Sequence, residues 1–308
     1  MSERQPERSG QRGYYGRPAI KEPVWKPEVP IYFWLGGLTG ISALLAFGAR
    51  LMGNRRLART ALFTSFATLL ACPPLLVSDL GRPERFYNML RVAKPTSPMS
   101  VGSWVLTGFG GAVGAAFLSE LLGLLQPVGL LAEGAAAFLS LPLVTYTAVL
   151  IADTSIPVWH RARHHLPFVF AGSAAASAGA AASALVPPED SGPARLLAIF
   201  GSVMELAAGT LMERSLGEEA RHYHEGPAKE AALAARVLTG TGALVMAVAG
   251  RRRPFAVAAG AMILGGSLAE RFAVLRAGPP SARGAVGDNT VKAEPGELGR
   301  PPRPRPLR

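Results

Sequence analysis

Tyr146 and Asp153 stand seven residues apart in TYTAVLIAD, two turns of a helix, so both fall on one face with Leu150 between them. A carboxylate above a phenol can pass a proton between an apolar interior and water. Tyr146 lies six residues before Ala152, about 9 Å below the helix end at roughly 1.5 Å per residue. That depth is unusual for an interfacial aromatic, and an interhelical hydrogen bond is the competing role. Tyr32 in EVPIYFWLGG offers a second phenol near a helix start, where a place in an aromatic belt competes. Three acids border or interrupt apolar runs: Glu120, Glu133 and Glu205. A charged acid deep in a bilayer costs about 2.5 to 3.5 kcal/mol, so each is expected to be neutral, paired or wetted. Together they suggest a proton route; interfacial placement of Glu120 and Glu133 and a structural hydrogen bond at Glu205 are the plainer readings.

A second concentration of polar chemistry is the stretch SDLGRPERFYNMLRVAKPTSPMSVGSW, residues 78–104, wedged between two apolar runs. Asp79, Arg82, Arg85, Asn88, Ser100 and Trp104 are its candidates for lining a pocket or meeting a partner. Asp79 also suits pairing with Arg82 or capping a helix, and Trp34, Trp104 and Trp159 suit belts at helix ends. Arg82, Arg85, Arg91 and Lys94 suit an acidic docking surface or lipid headgroups. Pro95 and Pro98 remove backbone donors and stiffen the return into the next helix.

These residues must be positioned by membrane helices. The 308 residues are 49% hydrophobic and only 17% charged, a balance that favours a membrane protein over two soluble domains. Charge-free runs extend from Ile31 to Ala49, Thr60 to Ser78, Val101 to Ser119, Gly134 to Ala152 and Leu166 to Pro188, each near the roughly 20 residues that span a bilayer. Three weaker runs follow: Leu196 to Met212 with Glu205, Ala231 to Ala249 with Arg236, and Pro254 to Leu275 with Glu270 and Arg271. The expected fold is therefore an all-α integral membrane protein, a bundle of eight transmembrane helices with disordered polar tails. The expected division is a tail over 1–28, a helical domain over 29–276 with helices 1–4 and 5–8 as two bundles, and a Pro/Arg-rich tail over 277–308. The Gly/Ala-rich run from Gly172 to Ala184 suits close helix packing in lipid.

An even number of spans places both tails and the polar stretch on one side. Two hairpins of the opposite side hold Arg50, Arg55, Arg56, Arg59, Arg251, Arg252 and Arg253 without an acid, the pattern of a cytoplasmic face. The polar stretch is then exoplasmic, although the basic tails pull the other way. The net charge of +11 thus reads as topology and loop charge, not nucleic-acid binding.

Much chemistry is missing. Cys72 is the only cysteine, so the chain alone cannot hold an iron–sulfur cluster, and it reads as a small core residue. His160, His164, His165, His222 and His224 all fall outside the apolar runs, so an embedded haem is not expected, nor is a metal site.

Helix 1 begins EVPIYFWLGGLTG, helix 2 ends SDLGRPERF, helix 3 begins SPMSVGSW and helix 4 ends TYTAVLIADTSIPVWH, all meeting at one membrane face. With LPFVFAGSA following, this ordered series over about residues 25–275 resembles the NrfD family, the membrane subunit of polysulfide-reductase-like and related complexes. The resemblance implies a quinone-reactive subunit (menaquinone or ubiquinone) of the cell membrane. Its implied partners are a ferredoxin-like iron–sulfur subunit and a molybdopterin-type catalytic subunit, with no redox centre in the chain itself. It also places a quinone-binding position at the start of helix 1, where this chain has Tyr32 and some relatives have histidine. Quinol oxidation releases two electrons and two protons, so a site needs hydrogen-bond donors, a titratable relay and apolar walls. Tyr32, Tyr146 and Asp153 are the candidates for it. A secondary transporter or proton channel using the three glutamates, and a passive anchor for a catalytic subunit, are the alternatives.

Overall fold

The computed structural model describes residues 25–79, 83–91 and 93–291. Eight helices in it are long and apolar enough to cross a membrane, and among the described residues there is no strand. They are α1 (Glu28–Leu51), α2 (Arg55–Ser78), α3 (Pro98–Leu122), α4 (Gln126–Ala152), α5 (Leu166–Leu185), α6 (Gly192–Leu216), α7 (Lys229–Ala249) and α8 (Arg253–Val291). A lipid interior offers backbone groups no partner, so each crossing is a helix that satisfies them internally. Several helices outrun their apolar stretches. α2, for example, starts at Arg55 rather than Thr60, because an arginine in the first turn reaches water along its own stem.

The last helix departs most from expectation. The sequence ends the helical domain at 276, yet α8 runs on to Val291 through Pro279 and Pro280. Its extension is docked: Ala277, Ser281 and Ala282 are buried. The Ser281 hydroxyl accepts from the Val158 amide at 3.1 Å and donates to Glu219 at 2.8 Å. Polar anchoring to the short helix Pro157–Arg161 replaces the apolar signal that hydropathy relies on. The rest of that expected tail, 292–308, and residues 1–24 of the N-terminal one lie outside the described residues.

α1 packs on α2, α4, α5 and α8, and it and α5 are the most buried crossings. α3 packs on α4 and, more lightly, on α2, while α6 and α8 pack on α5 and α7 packs on α8 and α6. Small residues bring these helices together. A Cβ on Gly40 would lie 2.8 Å from Val144 of α4, and one on Gly37 would lie 2.9 Å from Ala174 of α5. Side chains add clamps between α1 and α2: Thr39 donates to the Ser65 carbonyl at 2.6 Å, and Ser65 donates back to the Thr39 carbonyl at 2.8 Å. Residues Gly172 to Ser183 of α5 are all buried, as expected for close packing without a hydrophobic drive between helices.

Gly172 tests that packing, since its Cβ would sit 2.6 Å from the Glu205 amide nitrogen of α6. Gly172→Val should lower stability by about 1–3 kcal/mol, the usual cost of overpacking. Gly114→Val, where nothing lies within 4 Å, should change little. Thermal unfolding of the two purified variants in the same detergent reads the difference.

Candidate functional site

At the face where α1 and α3 begin and α2 and α4 end, the four helices line a cavity of about 90 Å³. Its walls are hydrocarbon and aromatic, among them Trp25, Phe33, Leu76, Met89, Met99 and Leu150. Four polar residues line it: Tyr32, Tyr146, Asp79 and Ser103. The Ser103 hydroxyl is spent on its own helix, donating to the Met99 carbonyl at 2.9 Å.

The two phenols meet directly, with the Tyr32 and Tyr146 hydroxyls sharing a hydrogen bond. One hydroxyl donates to the other, so the second keeps its proton free to donate elsewhere. Polarisation along such a chain strengthens the outer donor. Gly102 makes the arrangement possible: a Cβ there would lie 2.9 Å from Cζ of the Tyr146 ring. The glycine of SVGSW is therefore the bed on which the deep phenol rests.

An aromatic cluster holds the helix-1 side. Phe33 packs against Phe170 of α5 at 6.3 Å between ring centroids, and Trp25 meets Phe33 edge-on at 6.4 Å. Trp25 also stacks on Trp159 at 5.1 Å. Trp159, expected in an interfacial belt, is instead fully buried, with its indole N–H donating to the Val274 carbonyl at 2.7 Å. Cys72 is buried in α2, as a core residue should be.

The family described as Polysulphide reductase, NrfD, matches residues 19–189, more than half of the chain. The chain belongs to the NrfD family. No curated protein matches it. The phenol cavity of this NrfD protein is built wholly from residues inside the matched stretch, whereas α6, α7 and α8 lie beyond it.

The other expected site residues are distributed unevenly around the cavity. Asp153 does not line it: α4 ends at Ala152, so the two-turn spacing from Tyr146 no longer holds one face, and Asp153 is exposed. Asp79, at the end of α2, is the carboxylate that does line it. Asn88 and Ser100 line a shallow neighbouring hollow with Lys94 and Met99, where Ser100 accepts from the Lys94 amide at 3.0 Å. Trp104 is 46% exposed on the outside of α3 and Arg85 is exposed. Arg82 lies outside the described residues. Trp25, Met89, Met99 and Gly102 escape sequence reading because nothing in their types marks a pocket.

The acids of the expected proton route separate into two places. At the opposite face Arg50, which the sequence marks only as one of the hairpin arginines, grips Glu133 in a two-pronged pair at 2.7 and 2.6 Å and reaches Glu120 at 2.9 Å. Glu133 is only 3% exposed, so this pairing is what permits its burial. The signal available was a lone arginine in the last turn of α1 near two acids flanking a hairpin. Glu205 lies elsewhere, buried in α6 and accepting from Ser267 of α8 at 3.4 Å.

Arg50→Met leaves the buried Glu133 without its cation, with only Arg59 remaining at 4.0 Å from Glu120, and should cost on the order of 3 kcal/mol. The double variant Arg50→Met/Glu133→Gln should recover part of that loss in thermal unfolding. An additive loss in the double variant would show that the pair is not coupled. Gly102→Ala should separately displace the Tyr146 ring, read as a changed tyrosine absorption spectrum at nearly unchanged helicity.

Proposed function

We propose that this chain is the quinone-reactive membrane subunit of a multisubunit oxidoreductase, exchanging electrons with a ferredoxin-like iron–sulfur subunit attached to a molybdopterin-type catalytic subunit. The observation that carries the reading is the Tyr32–Tyr146 hydroxyl pair set in an otherwise apolar cavity at one membrane face. Membership of the NrfD family supports the complex and its partners.

The residues fit a quinone ring. Phe33, Leu76, Met99 and Leu150 supply apolar walls, and the phenol pair supplies a donor for a carbonyl oxygen. A bound quinone supplies two-electron, two-proton chemistry. Within the chain, Tyr32 and Tyr146 hold the oxygen that gains or loses a proton, and the half-buried Asp79 at the end of α2 stands between them and water. Asp79 thereby takes the relay role that spacing alone assigns to Asp153. Exposed Arg85, Arg91 and Lys94 on the same face suit an acidic docking surface on the iron–sulfur partner. The arginines at the opposite hairpins favour an exoplasmic placement of this face in the cell membrane.

Tyr32→Phe and Tyr146→Phe each remove one hydroxyl and should each weaken quinone binding about tenfold, the worth of one net hydrogen bond. In the assembled complex the double variant should lose most quinol-dependent electron flow. Normal flow in that double variant would sink the assignment of these residues. Failure of the wild-type chain to bind any quinone would favour a passive anchor.

A further inference from the structure

One wall of the phenol cavity is a side chain that no long helix carries. Trp25 precedes α1, and its indole lines the cavity beside Phe33. A stack sets its position: the ring lies 5.1 Å from that of Trp159, with 10° between the two planes. The next residue, Lys26, reaches the other way, its ammonium donating at 3.4 Å to the Ser78 carbonyl at the end of α2. Residues 25–27 are thus a short strap between α2 and the short helix Pro157–Arg161, which carries Trp159.

Trp159 is set in turn by the C-terminal extension of α8. Its indole N–H is held by the Val274 carbonyl, and its six-membered ring rests on Gly278. A Cβ on Gly278 would lie 2.1 Å from Cζ2 and 2.6 Å from Cε2 of that indole, so only glycine admits the ring. Pro279 and Pro280 follow at once and deprive α8 of two backbone donors. Side-chain contacts hold the extension instead. Ser281 accepts from the amide of Val158, the residue before Trp159, and donates to Glu219. Glu219 also faces His222 at 3.4 Å and Arg161 at 3.8 Å. A continuous path therefore runs from Ser281 through Gly278 and Trp159 to Trp25, and it ends on the cavity wall. It begins outside residues 19–189, the stretch that matches the family.

We propose that Trp159 is a positioning residue for the quinone ring: seated on Gly278 of the α8 extension, it holds the Trp25 indole as a wall of the ring cavity, so that the extension sets how firmly the ring is bound. The inference rests on the quinone reading and adds to it a determinant of affinity that touches no ligand atom. An indole suits the task, since it offers a large flat face on one side and a hydrogen-bond donor on its edge. Trp159 uses both, one toward Trp25 and the other toward Val274.

The test uses the full chain in detergent with 2-methyl-1,4-naphthoquinone as the probe, and affinity is read by equilibrium dialysis against the same detergent. The stack itself is read as the exciton contribution to circular dichroism that Trp25→Phe removes. Gly278→Ala displaces the Trp159 ring and should weaken binding about tenfold, with the exciton signal lost at unchanged helicity. Gly265→Ala lies on the same helix, where the nearest atom to the new Cβ is on Leu238 at 3.6 Å, and should change neither. Trp159→Phe removes the part of the ring that a Cβ at 278 would strike. The double variant Trp159→Phe/Gly278→Ala should therefore bind more tightly than Gly278→Ala alone. Ser281→Ala loosens the extension without entering the stack, should give a smaller loss of the same kind, and serves if thermal unfolding shows Gly278→Ala to be misfolded.

Affinity unchanged in both Gly278→Ala and Ser281→Ala would overturn the proposal, whether or not the exciton signal is lost. So would a double variant in which the two losses simply add, because the effect would not then pass through residue 159. A wild type that does not bind the probe defeats the quinone reading itself, and this inference with it.

Discussion

The close approach of α1 to its neighbours is the constraint on which the rest of this bundle depends. Helices in lipid gain nothing from hiding apolar surface from one another, so they are held by contact area and hydrogen bonds. α1 concentrates both. Gly40 and Gly37 let α4 and α5 come within backbone reach, and the Thr39–Ser65 exchange clamps α2. Arg50 ties the far ends of α3 and α4. With α4 held at Gly40, Tyr146 falls where its hydroxyl meets that of Tyr32 two turns nearer the start of α1.

The two ends of the first four helices solve the problem of buried polarity differently. At one end the polar groups are few: two phenols share one hydrogen bond, Ser103 donates to its own helix, the half-buried Asp79 stands at the end of α2, and the remaining wall is hydrocarbon and aromatic. At the other end charges are buried, and Glu133 is tolerated only because Arg50 meets it with two donors. A site that must accept an uncharged ring gains from the first arrangement, since no ion has to be stripped of water when the ligand enters. The second arrangement suits a permanent brace, because a bidentate pair is costly to part.

The C-terminal helices show a third solution. Arg271 is buried beside Phe170, with its guanidinium 3.7 Å over the ring and one amino group donating to the Phe170 carbonyl at 3.0 Å. Glu205 accepts from Ser267 nearby. These charges weaken the hydropathy signal of α6 and α8, yet both cross as full helices, because their polar groups face the bundle and not the lipid.

The sequence by itself determined the eight crossings, the Gly/Ala packing of α5 and the membership of the family. Transfer of a segment into lipid depends on its own side chains, and motif order is a property of the chain. It also named Tyr32, Tyr146 and Asp79 as candidates, but ranked Asp153 above Asp79, because helical spacing is blind to where a helix stops. Only the tertiary structure decided which groups meet. Tyr32 and Tyr146 are 114 residues apart, and Arg50 and Glu133 are 83 apart. Local periodicity sets the face a residue occupies, while its partner is set by which helices pack together, at contacts such as Gly40 on Val144. The docked extension of α8 was hidden for the same reason: Ser281 and Ala282 are held by partners distant in sequence, so no local signal marks them.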